Sequence, residues 1–442
     1  MRRFLILILL LPGVLLAQHS IRGVFSPPED YEVALLYKVK PTISEYVTNT
    51  VVAEDGSFSF TLDSTQTKGM YRIVYAAPQE DYNFDILYNG KEDIALTFNS
   101  ETGVHYKSSA ENKLLASYTN SMSMVTTSIS KFYQEKSTDT LALLSIFKTQ
   151  RNAQKNYEKL AKGTLALNFI KANRPFVPEG FVNVATYVNQ IKEHYFDAVD
   201  FTDVVLQSSS FLEERILNYV FGMTANGVDE LTNYKNNIDV VCKAMNEAPA
   251  EVKRILLISL WQQFVDLKLE PIANYVTDTC LLAVAKTLND DDLVTRLKQY
   301  ENTSIGHRAI DFYIENETDN TKLSSIEIDE YGILVFWSST CSHCLDELPK
   351  LEAFLKDGNK KSIKVVAVAL DDNPDTWKKS IPYLPHFIHT YGRSSKNKNL
   401  DDRYGIFETP TYFILNKNKE IIAKPNDAEL VKAFFKKKSD NK

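Results

Sequence analysis

Cysteine is scarce in this chain, with four among 442 residues, so a network of disulfides does not hold the fold together. No apolar run is long and uninterrupted enough for a good membrane span, which needs roughly 20 residues. Basic residues form no sustained stripe beyond the tail at 436–438, and the formal net charge is −7. Nucleic-acid binding is therefore not expected. The length and the 44% hydrophobic content predict two to four domains with real cores.

The first 17 residues have the composition of an export signal. Arg2 and Arg3 precede the apolar run 4–11, and Ala17 supplies a small residue at the exit. A basic start, a short apolar core and a small terminal residue are typical of a cleavable signal peptide. We therefore expect residues 1–17 to be removed and the protein to reach the periplasm or cell envelope. Retention of this segment as a membrane anchor is the alternative.

Residues 18–104 alternate between apolar and polar positions and are rich in turns. Two turn signals stand between alternating segments: Asp55-Gly56 between 46–53 and 57–62, and Asn89-Gly90 between 84–88 and 92–98. Such dipeptides predict β-hairpins. We expect a small antiparallel β-sandwich, and because it contains no catalytic constellation, a docking or spacing role.

Residues 105–300 change to helical spacing of their apolar positions. Prolines divide the region, and the pattern predicts an all-α domain of six to eight helices. Cys242 and Cys280 lie in helical stretches. Two buried thiols that act as small apolar residues are the favoured interpretation, and a structural disulfide between neighbouring helices is the alternative.

The most informative motif follows the apolar run 333–336. Cys341 and Cys344 stand two residues apart, directly after Trp337-Ser338-Ser339-Thr340. A buried strand that leads into two cysteines at the start of a helix meets the needs of thiol–disulfide exchange: one exposed, acidic thiol and a second thiol within reach. Zinc sites share this spacing, so the pair alone is not decisive.

Further motifs downstream and upstream support the redox interpretation. They are Pro349 in the helix after the cysteines, the segment 404–411 (Y-G-I-F-E-T-P-T), the opening 305–312 (I-G-H-R-A-I-D-F) and the helix 344–351 (C-L-D-E-L-P-K-L). In this order they resemble the thioredoxin superfamily, and within it the TlpA/ResA-like envelope branch. The resemblance covers about residues 302–442 and implies an α/β thioredoxin fold for a domain at 301–442. Residues 18–104 also resemble the DUF4369-type β-domain of Bacteroidota envelope proteins. The expected fold is thus multidomain.

The two cysteines are expected to have different roles because they occupy different positions on the helix. Cys341 is the attacking sulfur, because the helix N-terminus and the N–H groups of the first turn favour its thiolate. Cys344, one turn further and more buried, resolves the mixed disulfide. His343 adds a positive charge beside the thiolate when it is protonated, as in the C-P-H-C motif of DsbA. The alternative for His343 is a solvated residue of little effect.

Four more residues are expected to shape the site. Trp337 is expected to pack as a structural wall under the turn that carries the two cysteines. The resemblance implies that Pro410 is cis and that Thr409 faces the sulfurs, where its backbone pairs with an extended substrate. Glu347 is a substitute for the buried aspartate that thioredoxin has at the position of Val335, or else a solvated carboxylate in the first turn.

The expected activity is thiol–disulfide exchange between the Cys341–Cys344 pair and cysteine-containing exported proteins, without a bound cofactor or metal. The resemblance favours a reductase fed by a membrane electron donor. His343 favours the opposite role, an oxidase or isomerase of DsbA-like potential. The sequence is also compatible with a non-catalytic binding protein that uses the fold as a scaffold, and with metal capture by Cys341, His343 and Cys344.

Overall fold

The computed structural model describes residues 19–440 except 64, 226, 316–319, 357–362 and 372. The chain forms two compact units, one up to Leu260 and one from Trp261 onward. The expected signal peptide lies outside the described residues. Within the part that is described, no helix is long and apolar enough to cross a bilayer.

The first unit begins with two four-stranded sheets. Their strands are β1 (His19–Ser26), β2 (Val33–Val39), β3 (Ser44–Val51), β4 (Ser57–Leu62), β5 (Gly69–Val74), β6 (Asn83–Tyr88), β7 (Ile94–Asn99) and β8 (Gly103–Tyr106). The order is β4-β1-β7-β8 in one sheet and β3-β2-β5-β6 in the other. Side chains of both sheets, among them Phe25, Leu36 and Tyr71, form one buried apolar core. The β-sandwich is therefore confirmed.

Both predicted hairpins are wrong, although both turns exist. Gly56 and Gly90 adopt positive φ, +79° and +73°, as turn glycines do. However, β3 and β4 belong to different sheets, and so do β6 and β7. Each turn carries the chain from one sheet to the other, so both flanking strands present their apolar face to the same core. The sandwich is also not purely antiparallel, because β1 pairs with β7 in parallel.

The rest of the first unit is helical, and the helices continue into the second unit. They are α1 (Ala110–Gln134), α2 (Thr140–Leu160), α3 (Ala166–Ala172), α4 (Val184–Glu193), α5 (Phe211–Gly222), α6 (Glu230–Ala244), α7 (Ala250–Asp266), α8 (Glu270–Val276), α9 (Leu282–Thr287) and α10 (Asp291–Asn302). Side chains of Ser109, Asp139 and Asn183 cap the starts of α1, α2 and α4. The described residues thus contain more helices here than the six to eight expected, because α3, α8 and α9 are too short for a clear period.

The favoured interpretation of Cys242 and Cys280 as free buried thiols is wrong, since both are disulfide-bonded. Cys242 lies in α6, and Cys280 lies in a π-helical turn, Thr277–Leu281, between α8 and α9. The bonded state is the alternative that the sequence left open. The domain boundaries at 104 and 300 stay predictions, because the chain divides into two units with the division inside α7.

The second unit contains a five-stranded mixed sheet. Its elements, after the short strands β9 (Tyr313–Glu315) and β10 (Asn320–Lys322), are β11 (Tyr331–Trp337), α11 (Ser342–Leu355), β12 (Ile363–Ala369), α12 (Pro374–Lys378), β13 (Phe387–Tyr391), α13 (Leu400–Tyr404), β14 (Thr411–Asn416), β15 (Ile421–Ala423) and α14 (Ala428–Asp440). The sheet order is β13-β12-β11-β14-β15. Strands β11, β12 and β13 are parallel, β14 is antiparallel to β11, and β15 is antiparallel to β14.

Strand β11 lies in the middle of this sheet and is buried on both faces. Val335 and Trp337 point to one face, where they pack with residues of α11 and α14. Leu334 and Phe336 point to the other face, in a second apolar cluster. A central parallel strand of this kind is apolar throughout. Its carboxyl end delivers the chain to the turn that precedes Cys341.

Candidate active site

The two cysteines of the motif open helix α11. Cys341 is the N-cap residue, and its Sγ accepts a hydrogen bond from the backbone N–H of Cys344 at 3.4 Å. Cys341 is partly exposed, whereas Cys344 is fully buried, and both are free thiols. An accessible sulfur therefore stands in front of a protected one, within a single helical turn.

Two opposing effects act on the Cys341 thiol. Burial by itself raises its pKa. Hydrogen bonds with the side chains of Cys344 and Thr409, and with the backbone N–H groups of Cys344 and His343, together outweigh burial, so the pKa lies below its ordinary value. These donors stabilise the thiolate, which is the nucleophilic form of cysteine.

Cys344 has the opposite electrostatic environment. Its burial raises the pKa of the thiol to about 12, although a backbone hydrogen bond at Ser338 and the Thr409 side chain act in the other direction. At neutral pH Cys344 is therefore a protonated thiol while Cys341 is the more acidic of the two. This asymmetry suits one sulfur to attack and the other to resolve.

Thr409 and Pro410 lie directly across from the redox pair. The peptide bond between them is cis. The Cys341 thiol donates a hydrogen bond to the backbone carbonyl of Thr409 at 3.4 Å. Pro410 is buried at the start of β14, and Thr409 is partly exposed. The structure thus brings together the residues 341–344 and 409–410, which are 65 or more positions apart in the sequence.

Comparisons with known proteins agree with this geometry. The family model described as thioredoxin-like matches residues 329–421. Among curated proteins, a thiol-disulfide oxidoreductase ResA from Oceanobacillus iheyensis is 25% identical over 152 residues, which are 32% of this chain and 70% of that protein. A second ResA, from Halalkalibacterium halodurans, is 25% identical over 123 residues, 26% of this chain and 65% of that protein.

A solved structure also resembles part of the chain. It is a domain of a possible thiol-disulfide isomerase from Cytophaga hutchinsonii, 30% identical, and the match covers 31% of this chain and 94% of that domain, with a TM-score of 0.28. The C-terminal third of the chain therefore contains a thioredoxin-like domain, and the curated relatives that match it are named thiol–disulfide oxidoreductases. The resemblance of residues 18–104 to a DUF4369-type domain stays a prediction.

Within the thioredoxin-like domain, Trp337 and His343 occupy contrasting positions. Trp337 is fully buried in the apolar cluster that contains Cys344, and Cys341 packs against that cluster. The side chain of His343 is exposed to solvent on the first turn of α11. Its backbone N–H contributes to the stabilisation of the Cys341 thiolate. A tuning role for the His343 imidazole stays a prediction.

Glu347 is not the solvated carboxylate that one interpretation of the sequence favoured. It is 5% exposed, it forms an ion pair with Lys350 at 2.6 Å, and it accepts the backbone N–H of Ala428 at 2.8 Å. The hydrogen bond from Lys350 is the main reason why the pKa of Glu347 lies below its usual range. The residue is therefore a buried, ionised group on the same helix as the cysteines.

Asp371 is a residue of the site that the sequence did not reveal. It is buried after β12, and its carboxylate accepts the backbone N–H of Ser339 at 2.9 Å. The Ser339 hydroxyl donates to the same carboxylate at 2.5 Å. These bonds hold the turn that positions Cys341. The acidic pair at 371–372, at the end of an apolar strand, was the available signal.

The groups around the redox pair are suited to sulfur chemistry. Among the residues that the structure describes, no group of three or more histidine, cysteine, aspartate or glutamate side chains is placed to bind an ion. The cysteines, the Thr409-Pro410 segment and the helix N-terminus together are suited to nucleophilic attack by a thiolate on a disulfide, followed by intramolecular resolution.

Proposed function

We propose that this protein is an exported reductase of disulfides, in which Cys341 attacks and Cys344 resolves. The substrates are cysteine pairs in proteins of the cell envelope. The observation that carries the proposal is the asymmetry of the pair: the pKa of the partly exposed Cys341 is lowered, and the pKa of the fully buried Cys344 is raised to about 12. Trp337, His343, Glu347, Thr409 and Pro410 surround the pair as groups that tune it.

The direction of electron flow is proposed from the resemblance to the TlpA/ResA-like branch. The relatives named ResA support the same family of reactions. A membrane electron donor would then restore the dithiol after each turnover. His343 supports the opposite direction, because a positive charge beside the Cys341 thiolate stabilises the reduced form and makes the disulfide a better oxidant.

Reduction of insulin by the full-length protein tests the proposed exchange. We expect catalysis with dithiothreitol as the electron source, and loss of catalysis in the double variant Cys341→Ser, Cys344→Ser. Equal activity in both proteins would contradict the enzyme and leave the non-catalytic scaffold as the explanation of the fold.

Equilibration with glutathione tests the direction. A potential near the roughly −270 mV of thioredoxin supports the reductase, and a potential near the roughly −120 mV of DsbA supports the oxidase. Replacing the exposed imidazole in His343→Ala should move the potential to a more negative value if its charge stabilises the thiolate. The variant Asp346→Asn, at an exposed position on the same helix, is the matched control.

Trapping in cells tests the proposed location and partners together. In a Cys344→Ala variant, the mixed disulfide with Cys341 cannot be resolved, so partners stay covalently attached. We expect the attached proteins to be exported and to contain cysteine pairs. Recovery of the full-length chain with residues 1–17 still present, in the cytoplasmic fraction, would contradict export.

A further inference from the structure

Tyr412 lies in the same buried cluster as the resolving cysteine, on the face of the sheet that α11 covers. It is the second residue of β14, two positions after Pro410, and its register partner in β11 is Val335. The side chain is 1% exposed and belongs to the same buried cluster as Trp337 and Cys344. A phenol is thus placed in an otherwise apolar layer beneath the redox pair.

The hydroxyl of Tyr412, like the indole N–H of Trp337 in the same cluster, is a buried polar group without a hydrogen-bond partner among the described residues. Nearly all buried polar atoms have a partner, because a buried donor left unsatisfied destabilises the fold. Tyr404 provides the contrast: it is equally buried, and its hydroxyl donates to the backbone carbonyl of Ile310 at 2.5 Å. The hydroxyl of Tyr412 therefore calls for a reason beyond packing.

The charges near Tyr412 indicate when its hydroxyl would be used. Burial is the main cause of its raised pKa, and the negative charges of Glu347, Cys344 and Asp427 raise the pKa further. Tyr412 consequently stays protonated and is a hydrogen-bond donor. Glu347 is already bonded to Lys350 and to the N–H of Ala428. Cys344 is the neighbour that changes its charge during the reaction.

We propose that the Tyr412 hydroxyl donates a hydrogen bond to the Cys344 sulfur when that sulfur becomes a thiolate in the resolving step. The inference rests on the proposed roles of Cys341 and Cys344. In the dithiol form the bond is not made. In the mixed disulfide between Cys341 and a partner, it stabilises the charge that develops on the buried sulfur.

The resolving step needs no reactant other than Cys344 and the mixed disulfide between Cys341 and the partner. The Cys344 thiolate attacks the Cys341 sulfur of the mixed disulfide, the bond between Cys341 and the partner sulfur breaks, and the Cys341–Cys344 bond forms. The proton from the Cys344 thiol ends on the departing partner thiolate. The cysteine pair is thereby oxidised by two electrons, and the partner disulfide is reduced.

Burial of Cys344 explains why such a donor matters. The pKa of about 12 leaves the thiolate rare at neutral pH. The backbone at Ser338 and the side chain of Thr409 already favour it. A third donor from the sheet side would increase the fraction of Cys344 that is ready to attack, and would do so without exposing this sulfur to solvent.

The reaction of the reduced protein with 5,5′-dithiobis(2-nitrobenzoate) separates the two steps. Attack by Cys341 releases a first thionitrobenzoate, and resolution by Cys344 releases a second. In Tyr412→Phe, which removes only the hydroxyl, we expect the second phase to slow about tenfold, the effect of one hydrogen bond to a charged group. The first phase should stay within twofold of that of the unaltered protein.

Tyr404→Phe is the matched control, since it removes a buried phenol hydroxyl elsewhere in the domain and should change neither phase. A second phase within twofold of that of the unaltered protein in Tyr412→Phe would overturn the inference, and so would equal slowing of both phases. Failure of the unaltered protein to show a second phase would instead overturn the proposed function. Thermal unfolding of the reduced Tyr412→Phe variant should occur at the same or a higher temperature, because the change removes an unsatisfied group.

Discussion

The β-sandwich of residues 19–106 and the redox turn, defined as residues 338–347 with 409–412, use burial in different ways. The sandwich core is apolar, and among its described residues only the Ser20 side chain has a buried polar atom without a partner. Beside the redox turn, by contrast, thiol, carboxylate and phenol groups are buried together. The comparison indicates that one region is built for stability, whereas the other accepts a cost in stability for reactivity.

The largest expected effect is the loss of catalysis when the attacking sulfur of Cys341 is removed. Cys341→Ser should reduce the catalysis of insulin reduction to the uncatalysed rate, because serine is not ionised at neutral pH and cannot form the mixed disulfide. The urea midpoint should stay unchanged, since the side chain is small and partly exposed. Ser342→Ala, at the exposed neighbouring position, is the control and should retain activity. Residual catalysis in Cys341→Ser would contradict the assigned role.

A substitution in the core of the sandwich should lower stability and leave the reactivity of Cys341 unchanged. Leu36 is fully buried between the sheets, so Leu36→Ala should lower the free energy of unfolding by about 2–5 kcal/mol. The rate at which iodoacetamide alkylates Cys341 should not change. Val33→Ala, on the same strand at a side chain that is 41% exposed, should change stability little. Slower alkylation in the folded Leu36→Ala protein would show that the two regions are not independent.

Asp371 should show an effect on both stability and reactivity. Asp371→Ala removes the carboxylate that accepts the Ser339 N–H at 2.9 Å, and we expect a loss of about 1–3 kcal/mol in the free energy of unfolding. Because the turn before Cys341 loosens, alkylation should also slow. The control is Asp375→Ala, whose carboxylate is 76% exposed and pairs loosely with Lys378 at 3.9 Å. An unaltered alkylation rate would contradict the role of Asp371 in positioning the turn.

The smallest expected effect is on the pH dependence of the rate at which iodoacetamide alkylates Cys341. Only the thiolate reacts with iodoacetamide, so the alkylation rate rises with pH through the pKa, whose midpoint should lie below that of free cysteine. Thr409→Val removes one of the groups that lower this pKa, and the midpoint should move to higher pH. Below the midpoint the rate should fall severalfold, equivalent to about 1 kcal/mol. Thr340→Val is the control, because the Thr340 hydroxyl bonds to the Ser338 hydroxyl and not to a cysteine sulfur. Identical profiles for Thr409→Val and the unaltered protein would contradict the assignment.

Short-range patterns explain what was predicted well. The spacing of Cys341 and Cys344 after an apolar strand is local, and it determines which sulfur begins the helix. The Asp-Gly and Asn-Gly turns were also located correctly. Their consequence was not, because a turn dipeptide does not specify whether the next strand pairs with the previous one or crosses to another sheet. That choice depends on which strands share a core.

Long-range contacts explain what was missed. Glu347 and Asp371 look like surface carboxylates in the sequence, and only the fold provides the Ala428 N–H and Ser339 as their partners. The orphaned hydroxyl of Tyr412 is likewise a property of neighbours that are distant in sequence. The bonded state of Cys242 and Cys280 required the folded geometry, since the separation of 38 residues is compatible with either state.

The sequence by itself determined the chemistry: two thiols one helical turn apart, a proline segment that resembles the cis-proline of thioredoxins, and a strand apolar enough to lie in the centre of a sheet. The tertiary structure decided the reactivity of each group. It buried Cys344 while leaving Cys341 partly exposed, and it brought Thr409 and Tyr412 to the pair. The physical reason is that pKa and nucleophilicity depend on solvation and on nearby donors, which are set by contacts between distant parts of the chain.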